Sequence, residues 1–313
     1  MTDTGPLFVS SGDLIADRRY KWALDQAARG DFAGAAEILE QTVALAPAFA
    51  TAWFALGAIR DQLGNASGAI IAFEKARDAD PDDYHGARLQ LARLGSGEAA
   101  PAMTQSYVRR LFDQYAARFD TALTERLAYR GPALLREAVE RAMREAGRPL
   151  HFASMLDLGC GTGLGGAAFR PVVDRMAGVD LSPAMVAQAT AKGLYDRLAT
   201  ADIAAFLAEA AEGGEHYQLI LAADVFVYIK DLAPIMAAVA RILASDGIVA
   251  FTVETHSGDG VKLLPTLRYA HGAHYLRRAL AGAGLALVSM EPAAVRSEKG
   301  VPVDSLVVVA RPA

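Results

Sequence analysis

The sequence predicts an α/β protein, a doubly wound and mostly parallel sheet, preceded by a small all-helical domain. Three observations carry this. The first third of the chain repeats itself at a spacing of 34 residues. From Phe152 onward, short apolar runs alternate with stretches of helical period. A glycine-rich loop, MLDLGCGTGLGG from Met155 to Gly166, directly follows the first apolar run.

Composition bounds the answer. The chain has 313 residues, 53% hydrophobic and 21% charged, a balance that favours packed cores. Net charge is −5, and the first hundred residues carry all of it, with nine basic and 14 acidic groups. Neither part is basic, so no nucleic-acid partner is expected. Cys160 is the only cysteine, which excludes an intrachain disulfide and fits a reducing cytoplasm. No apolar run is long enough for a membrane helix, and MTDTGPLFVSSGDL lacks the basic and apolar regions of a secretory signal.

In the repeat, Gly30 aligns with Gly64, Ala35 with Ala69, Leu39 with Phe73 and Pro47 with Pro81. The second copy, Thr51 to Pro81, carries Trp53, Leu56, Gly57, Gly64, Ala69, Phe73, Ala76 and Pro81. Small residues at Gly57 and Ala69 allow two helices to approach closely, and Pro81 ends the second. This pattern resembles the tetratricopeptide repeat. The upstream copy, about residues 16–49, is degenerate, with Arg19 and Trp22 where the second has Trp53 and Leu56. YHGARLQLARLG then reads as a capping helix, completing a domain over 1–94 of about two repeats plus a cap. Such a block offers a groove to a peptide or protein partner, or it covers or dimerises a neighbouring domain.

The small-residue stretch 95–104 reads as a linker, and 105–313 as the second domain. Two helices lead it, over 106–127 and 131–147, with Pro132 in a first turn and Gly147 at a stop. From 151 on, strands are expected at 152–159, 175–182, 196–203, 217–224 and 247–254, with helices at 163–174, 183–194, 204–214, 232–243 and 274–284. The stretches 285–296 and 304–312 have no helix between them and read as a hairpin. Continuous apolar strands alternating with helices mean a parallel sheet covered on both faces. Ligands of such folds bind at the carboxyl edge, near the point where strand order reverses.

The glycine loop admits two readings. Gly161-x-Gly163-x-x-Gly166 is a dinucleotide pattern, and Gly159-x-Gly161-x-Gly163 is another. Three neighbours discriminate. Asp157, two residues before Gly159, would repel a pyrophosphate but suits the ammonium and sulfonium of S-adenosylmethionine. Glycines at 159, 161 and 163, with Cys160 between them, let the main chain pass close under the methionine and ribose. Asp180 ends the second strand and can accept both ribose hydroxyls. Leu181 and Met185 supply apolar surface for adenine, while Ser182 caps the next helix with Pro183 in its first turn. Asp202 can accept the adenine amino group and the Ile203 amide can donate to the ring.

Together DLGCGTG, GVDLSPAM and ADI resemble the class I S-adenosylmethionine-dependent methyltransferases over about Gln105 to Ala313. With repeats ahead, the chain looks like the bacterial predicted methyltransferases bearing N-terminal tetratricopeptide repeats. The resemblance implies a seven-stranded sheet with its last strand antiparallel, S-adenosylmethionine as cofactor and S-adenosylhomocysteine as product. It also implies that LFDQYAARFD covers the cofactor, with Tyr115 or Phe119 over the sulfonium, and that Arg130 pairs with the methionine carboxylate.

Methyl transfer is a direct displacement, so positioning the acceptor matters most. After the fourth strand, Ala223 and Asp224 should lie by the cofactor, with Phe226 and Tyr228 walling the acceptor. No Asn/Asp-Pro-Pro-Tyr signature follows, which disfavours amino-methylation of DNA bases and of protein glutamine. Past the fifth strand, His256, Arg268, Tyr269, His271, His274 and Tyr275 crowd what reads as a loop. His271 and then His256 are the candidate bases, and Arg268 and Tyr269 the candidate acceptor contacts. No metal site is expected. The expected activity is methyl transfer to O or N of a small molecule. The alternatives are a repeat-guided protein methyltransferase and a catalytically silent, cofactor-binding scaffold.

Overall fold

The computed structural model describes residues 8–96, 103–121, 128–298 and 300–313. The chain divides into two compact units, Met1–Val108 and Arg109–Ala313. Of the expected linker and leading helix, residues 97–102 and 122–127 lie outside the described residues.

The first unit is a run of antiparallel helices: α1 (Leu14–Ala28), α2 (Phe32–Leu45), α3 (Ala50–Gln62), α4 (Ala66–Ala79) and α5 (Ala87–Arg93). Asp13, Asp31 and Asn65 cap α1, α2 and α4 through their side chains. Gly30 (φ +88°) and Gly64 (φ +76°) make equivalent left-handed turns one repeat apart. Ala35, Leu39, Ala52 and Leu56 are fully buried between the helices. The expected close approach at Gly57 is present: a Cβ there would lie 2.7 Å from the Phe73 ring.

The second unit opens with α6 (Gln105–Tyr115), whose first turn belongs to the repeat unit, then a 3-10 turn (Ala116–Arg118), α7 (Phe119–Thr121) and α8 (Gly131–Glu145). The sheet follows: β1 (Phe152–Leu158), α9 (Leu164–Phe169), β2 (Val173–Asp180), α10 (Pro183–Ala191), β3 (Arg197–Thr200), α11 (Ile203–Glu212) and β4 (Tyr217–Ala222). It continues with α12 (Ala233–Ile242), β5 (Leu243–Glu254), β6 (Val261–Leu263), β7 (Tyr269–His271), α13 (Ala273–Gly282), β8 (Leu285–Glu298) and β9 (Val301–Pro312). Strands β3-β2-β1-β4-β5 are parallel, and β9 joins β5 antiparallel with β8 beyond it. Alternate residues of β4 feed two cores. Ile220 and Ala222 pack with α11 and α12, whereas Leu219 and Leu221 pack with α8.

Three expectations are corrected. The sheet has nine strands among the described residues rather than seven, because the stretch read as a loop holds β6 and β7. These are three residues each, too short to show a period. The helix expected over 163–174 stops at Phe169, since Pro171 turns the chain and Val173 already begins β2. β5 starts four residues earlier than Gly247, within the expected helix.

Order reverses at β1, which pairs β2 on one side and β4 on the other. The loops after β1 and β4 therefore leave in opposite directions and open a crevice at the carboxyl edge. Replacing Gly57 by valine should overpack the repeat unit and cost about 1–3 kcal/mol in urea unfolding; an unchanged midpoint would mean that Phe73 yields freely.

Candidate active site at the carboxyl edge

β1 ends in a loop whose shape requires glycine at three points. Gly159, Gly161 and Gly163 adopt φ +64°, +53° and +91°, a region that side chains rarely enter. A Cβ on Gly159 would also lie 2.8 Å from Val225 Cβ, on the loop after β4. Gly161 instead faces open space, bounded by Phe119 Cε1 at 3.8 Å. The loop is thus a cradle, closed on the β4 side and clear above.

Asp180 holds this cradle. Its Oδ2 accepts from the Gly161 amide (2.9 Å) and its Oδ1 from the Ser182 amide (2.8 Å). Asp180 is only 9% exposed, and burial raises its pKa, with Asp113 adding and the Ser182, Gly161 and Leu181 amides opposing. Ser182 Oγ in turn caps α10 by accepting from the Met185 amide. Met185 is fully buried and Leu181 half-buried beside it.

Asp157 has a different place from the one expected. Its carboxyl is 1% exposed and accepts from Tyr195 OH at 2.7 Å, beneath the loop rather than above it. Burial pushes its pKa up to about 7, with Asp180 adding and the Tyr195 hydrogen bond opposing. Asp157 therefore braces the loop from below. Cys160 is buried, its amide donating to Val179 O, and burial raises its thiol pKa.

The leading segment is latched over the crevice by two aspartates. Asp113 Oδ1 accepts from Ser182 Oγ at 2.6 Å and from the Ala184 amide at 3.4 Å. Asp120 accepts from Thr162 Oγ1 in the glycine loop and pairs with Lys192 Nζ at 2.6 Å. On the same segment, Phe112 lies edge-on to both Phe119 (6.0 Å) and Tyr228 (5.2 Å). Phe119, not the half-buried Tyr115, is the aromatic against Gly161.

On the far side, Asp202 caps α11, its Oδ1 accepting from the Ala204 and Ala205 amides, and Ile203 is buried behind it. Beyond β4, Ala223 is half-buried and Asp224 takes φ +57°. The Asp224 amide donates to Thr252 Oγ1 (2.8 Å), and its Oδ1 accepts from Arg296 Nη1 at 2.5 Å. Arg296 also donates to Glu254, and Arg268 pairs with Glu298 and, at 3.6 Å, with Glu254.

Several expected site residues stand elsewhere. His271 is wholly buried, Nε2 donating to Ile229 O at 3.0 Å, and burial lowers its pKa to about 4. His256 uses both ring nitrogens within its own loop, Nδ1 accepting from the Gly258 amide and Nε2 donating to Gly260 O. His256 thus has both nitrogens engaged, whereas His271 keeps Nδ1 without a hydrogen-bond partner among the described residues but buried away from solvent. Phe226 is core, edge-on to Phe251 at 5.3 Å. Tyr269 is 4% exposed. The Arg130 side chain is exposed and 3.9 Å from Glu137. Tyr228 alone of the expected acceptor walls meets the leading segment.

Asp113, Asp120, Tyr195, Arg296, Glu254 and Glu298 escape sequence reasoning. The latch had a signal: Phe112-Asp113 and Phe119-Asp120 are the same pair seven residues apart, two helical turns. The Arg296 cluster had none, because its members come from two strands and two loops far apart in the chain.

Residues 108–290 match the family described as methyltransferase domain, more than half of the chain. The chain belongs to this methyltransferase family. Residues 20–84 of the methyltransferase match the tetratricopeptide repeat. It is 36% identical over 105 residues to human methyltransferase-like protein 27, covering 33% of this chain and 40% of that protein. It thus spans less than half of that relative. The structure of 1,6-didemethyltoxoflavin-N1-methyltransferase from Burkholderia thailandensis, with bound 1,6-didemethyltoxoflavin and S-adenosylhomocysteine, shares the fold. That likeness has a TM-score of 0.51 and 21% identity, over 69% of this chain and 91% of that one. An S-adenosylmethionine-dependent methyltransferase from Clostridium acetobutylicum gives 0.47 and 18%, over 64% and 99%.

Two outcomes test this geometry. Asp157 binds its extra proton in the folded state between its ordinary value near 3.8 and about 7. Its contribution to stability is therefore full below the lower value and lost as pH rises through the upper one. The stability of wild type minus that of Asp157→Asn should fall across that window in urea titrations; a flat difference would contradict it. Removing both latch carboxylates, Asp113→Ala with Asp120→Ala, should speed amide exchange of residues 159–163 by about tenfold or more. Unchanged exchange would show the latch to be idle.

Proposed function

We propose that this methyltransferase uses S-adenosylmethionine to methylate N or O of a small molecule. The observation that carries the reading is the cradle: Gly161 facing open space, with Asp180 beside it and Phe119 above it. A Cβ would intrude on this space, and a ribose with its two hydroxyls suits a carboxylate that keeps acceptor capacity. Asp180 is the residue that would hold that ribose, and Leu181, Asp202 and Ile203 the ones that would hold adenine. Gly159 to Gly163 would pass under the methionine portion and Ala223 would flank it. When bound, the cofactor supplies an electrophilic methyl group on a cationic sulfur.

The chain's own part is positioning and exclusion of water. Phe112, Phe119 and Tyr228 provide an aromatic cover with electron-rich faces, suited to a cationic centre. The latch through Asp113 and Asp120 would close this cover and release it for product exit. His271 is wholly buried and His256 is tied up within its own loop, which favours an acceptor whose lone pair attacks without prior deprotonation. Among the described residues no helix is long and apolar enough to cross a membrane. A cytoplasmic setting suits a chain whose single cysteine is buried. The repeats would serve as a docking block for a protein partner or a second copy.

Calorimetry on ligand-stripped protein tests the reading. S-adenosylmethionine and S-adenosylhomocysteine should bind and NADH should not. Asp180→Ala should weaken binding by about a hundredfold, the loss of two hydrogen bonds to a charged acceptor. Binding of NADH alone would overturn the proposal.

A further inference from the structure

We infer that the methyl acceptor is a neutral aromatic or heteroaromatic ring bearing an amino group whose N–H is held by Asp224, with Arg296 as the residue that positions this carboxylate. The inference rests on the methyl-transfer reading above.

Asp224 immediately follows Ala223 at the carboxyl end of β4, and its next neighbour, Val225, packs on Gly159. It therefore stands beside the glycine loop, on the side opposite Asp180. Its left-handed backbone is an uncommon conformation for a residue with a side chain, held by the Thr252 and Arg296 hydrogen bonds. Only Oδ1 is engaged. Among the described residues Oδ2 accepts no hydrogen bond, and the side chain keeps 19% exposure.

The surrounding charges exclude an anion. Arg296 is 1% exposed and donates to Asp224, Glu254 and Glu298. Arg268 is 5% exposed and spent on Glu298 and Glu254. Two guanidinium groups thus face three carboxylates, and neither has a fork turned to solvent. The expectation that Arg268 holds an acidic acceptor fails on this count. Beside the Tyr129 hydroxyl, which burial and the neighbouring Asp224 keep protonated, the cluster offers one carboxylate oxygen, an acceptor of N–H or O–H.

Two further features select an amino nitrogen carried by the ring. Tyr228, four residues past Asp224, meets the Phe112 ring of α6 edge to face at 5.2 Å, an apolar wall. A carboxylate is also too weak a base to ionise an alcohol or phenol, with their pKa values of about 10 or more. A nitrogen needs no such step. Its lone pair forms the N–C bond as the methyl C–S bond breaks, and sulfur keeps the bonding pair as a neutral thioether. The nitrogen, now positive, loses its N–H proton to Asp224 Oδ2 and thence to solvent.

The full chain saturated with S-adenosylhomocysteine is titrated with three matched probes: 6-aminoquinoline, 6-hydroxyquinoline and quinoline-6-carboxylate, followed by ligand-observed NMR. The amine should bind most tightly and the carboxylate most weakly. Asp224→Asn should weaken the amine at least tenfold, because the amide oxygen will face Arg296 and turn its NH2 toward the probe's N–H. The same variant should bind the carboxylate probe more tightly than wild type does. S-adenosylhomocysteine binding by the variant certifies its fold. Preference for the hydroxyl or carboxylate probe, no saturable binding of the amine, or indifference to Asp224→Asn would each overturn the inference while leaving the methyl-transfer reading intact. Failure of S-adenosylhomocysteine to bind wild type would remove both. Arg296→Lys, which keeps the charge but loses the fork, should weaken the amine probe with cofactor-product binding retained; equal loss of both would reduce Arg296 to a structural role.

Discussion

The Asp180 carboxylate is the interaction on which the site depends. One oxygen accepts from Gly161 and the other from Ser182, so it joins the end of β2 to the loop after β1 and to the start of α10. Loops carry unsatisfied amides, and a buried carboxylate accepting two of them is both costly to dehydrate and well repaid by charge-assisted hydrogen bonds. Ser182 passes the constraint on. Its hydroxyl donates to Asp113 while accepting from Met185, so the leading helix and α10 are registered to the same point. The glycine loop, the adenine-side turn and the aromatic cover thus share one anchor.

Beneath and beside that anchor, two buried polar groups fix the crevice walls. Asp157 with Tyr195 supports the loop from below, and the Arg296 cluster supports the loop after β4. Buried ion pairs of this kind add little net stability, since dehydration offsets attraction. Their effect is directional: they specify where Asp224 stands and give it a backbone conformation that packing alone would not select. Core strands on both sides, with Leu219 and Leu221 facing one helix layer and Ile220 and Ala222 the other, supply the rigid frame.

The fold was legible because its signals are local. A 34-residue period announces the helical repeat, and apolar strand runs alternating with helices announce the parallel sheet. Boundaries failed where the signal was weakest. β6 and β7 are three residues each, and Pro171 turns a sequence that otherwise continues a helical pattern. The cradle residues Gly159, Gly161 and Asp180 were also legible, being set by the turn after one strand and the end of the next.

By itself, then, the sequence determined the order of elements, the glycine loop and the acidic residues at strand ends, because each follows from neighbours within a few residues. Only the tertiary structure decided which side chains face the crevice. His271 and Phe226 carry the right chemistry but are wholly buried, His271 held by the Ile229 carbonyl and Phe226 by the Phe251 ring. Asp157 turns beneath its loop. Asp113, Asp120 and Arg296 enter from segments up to 72 residues away from their partners. Such contacts depend on how strands twist and helices cross, and no local pattern in the chain encodes them.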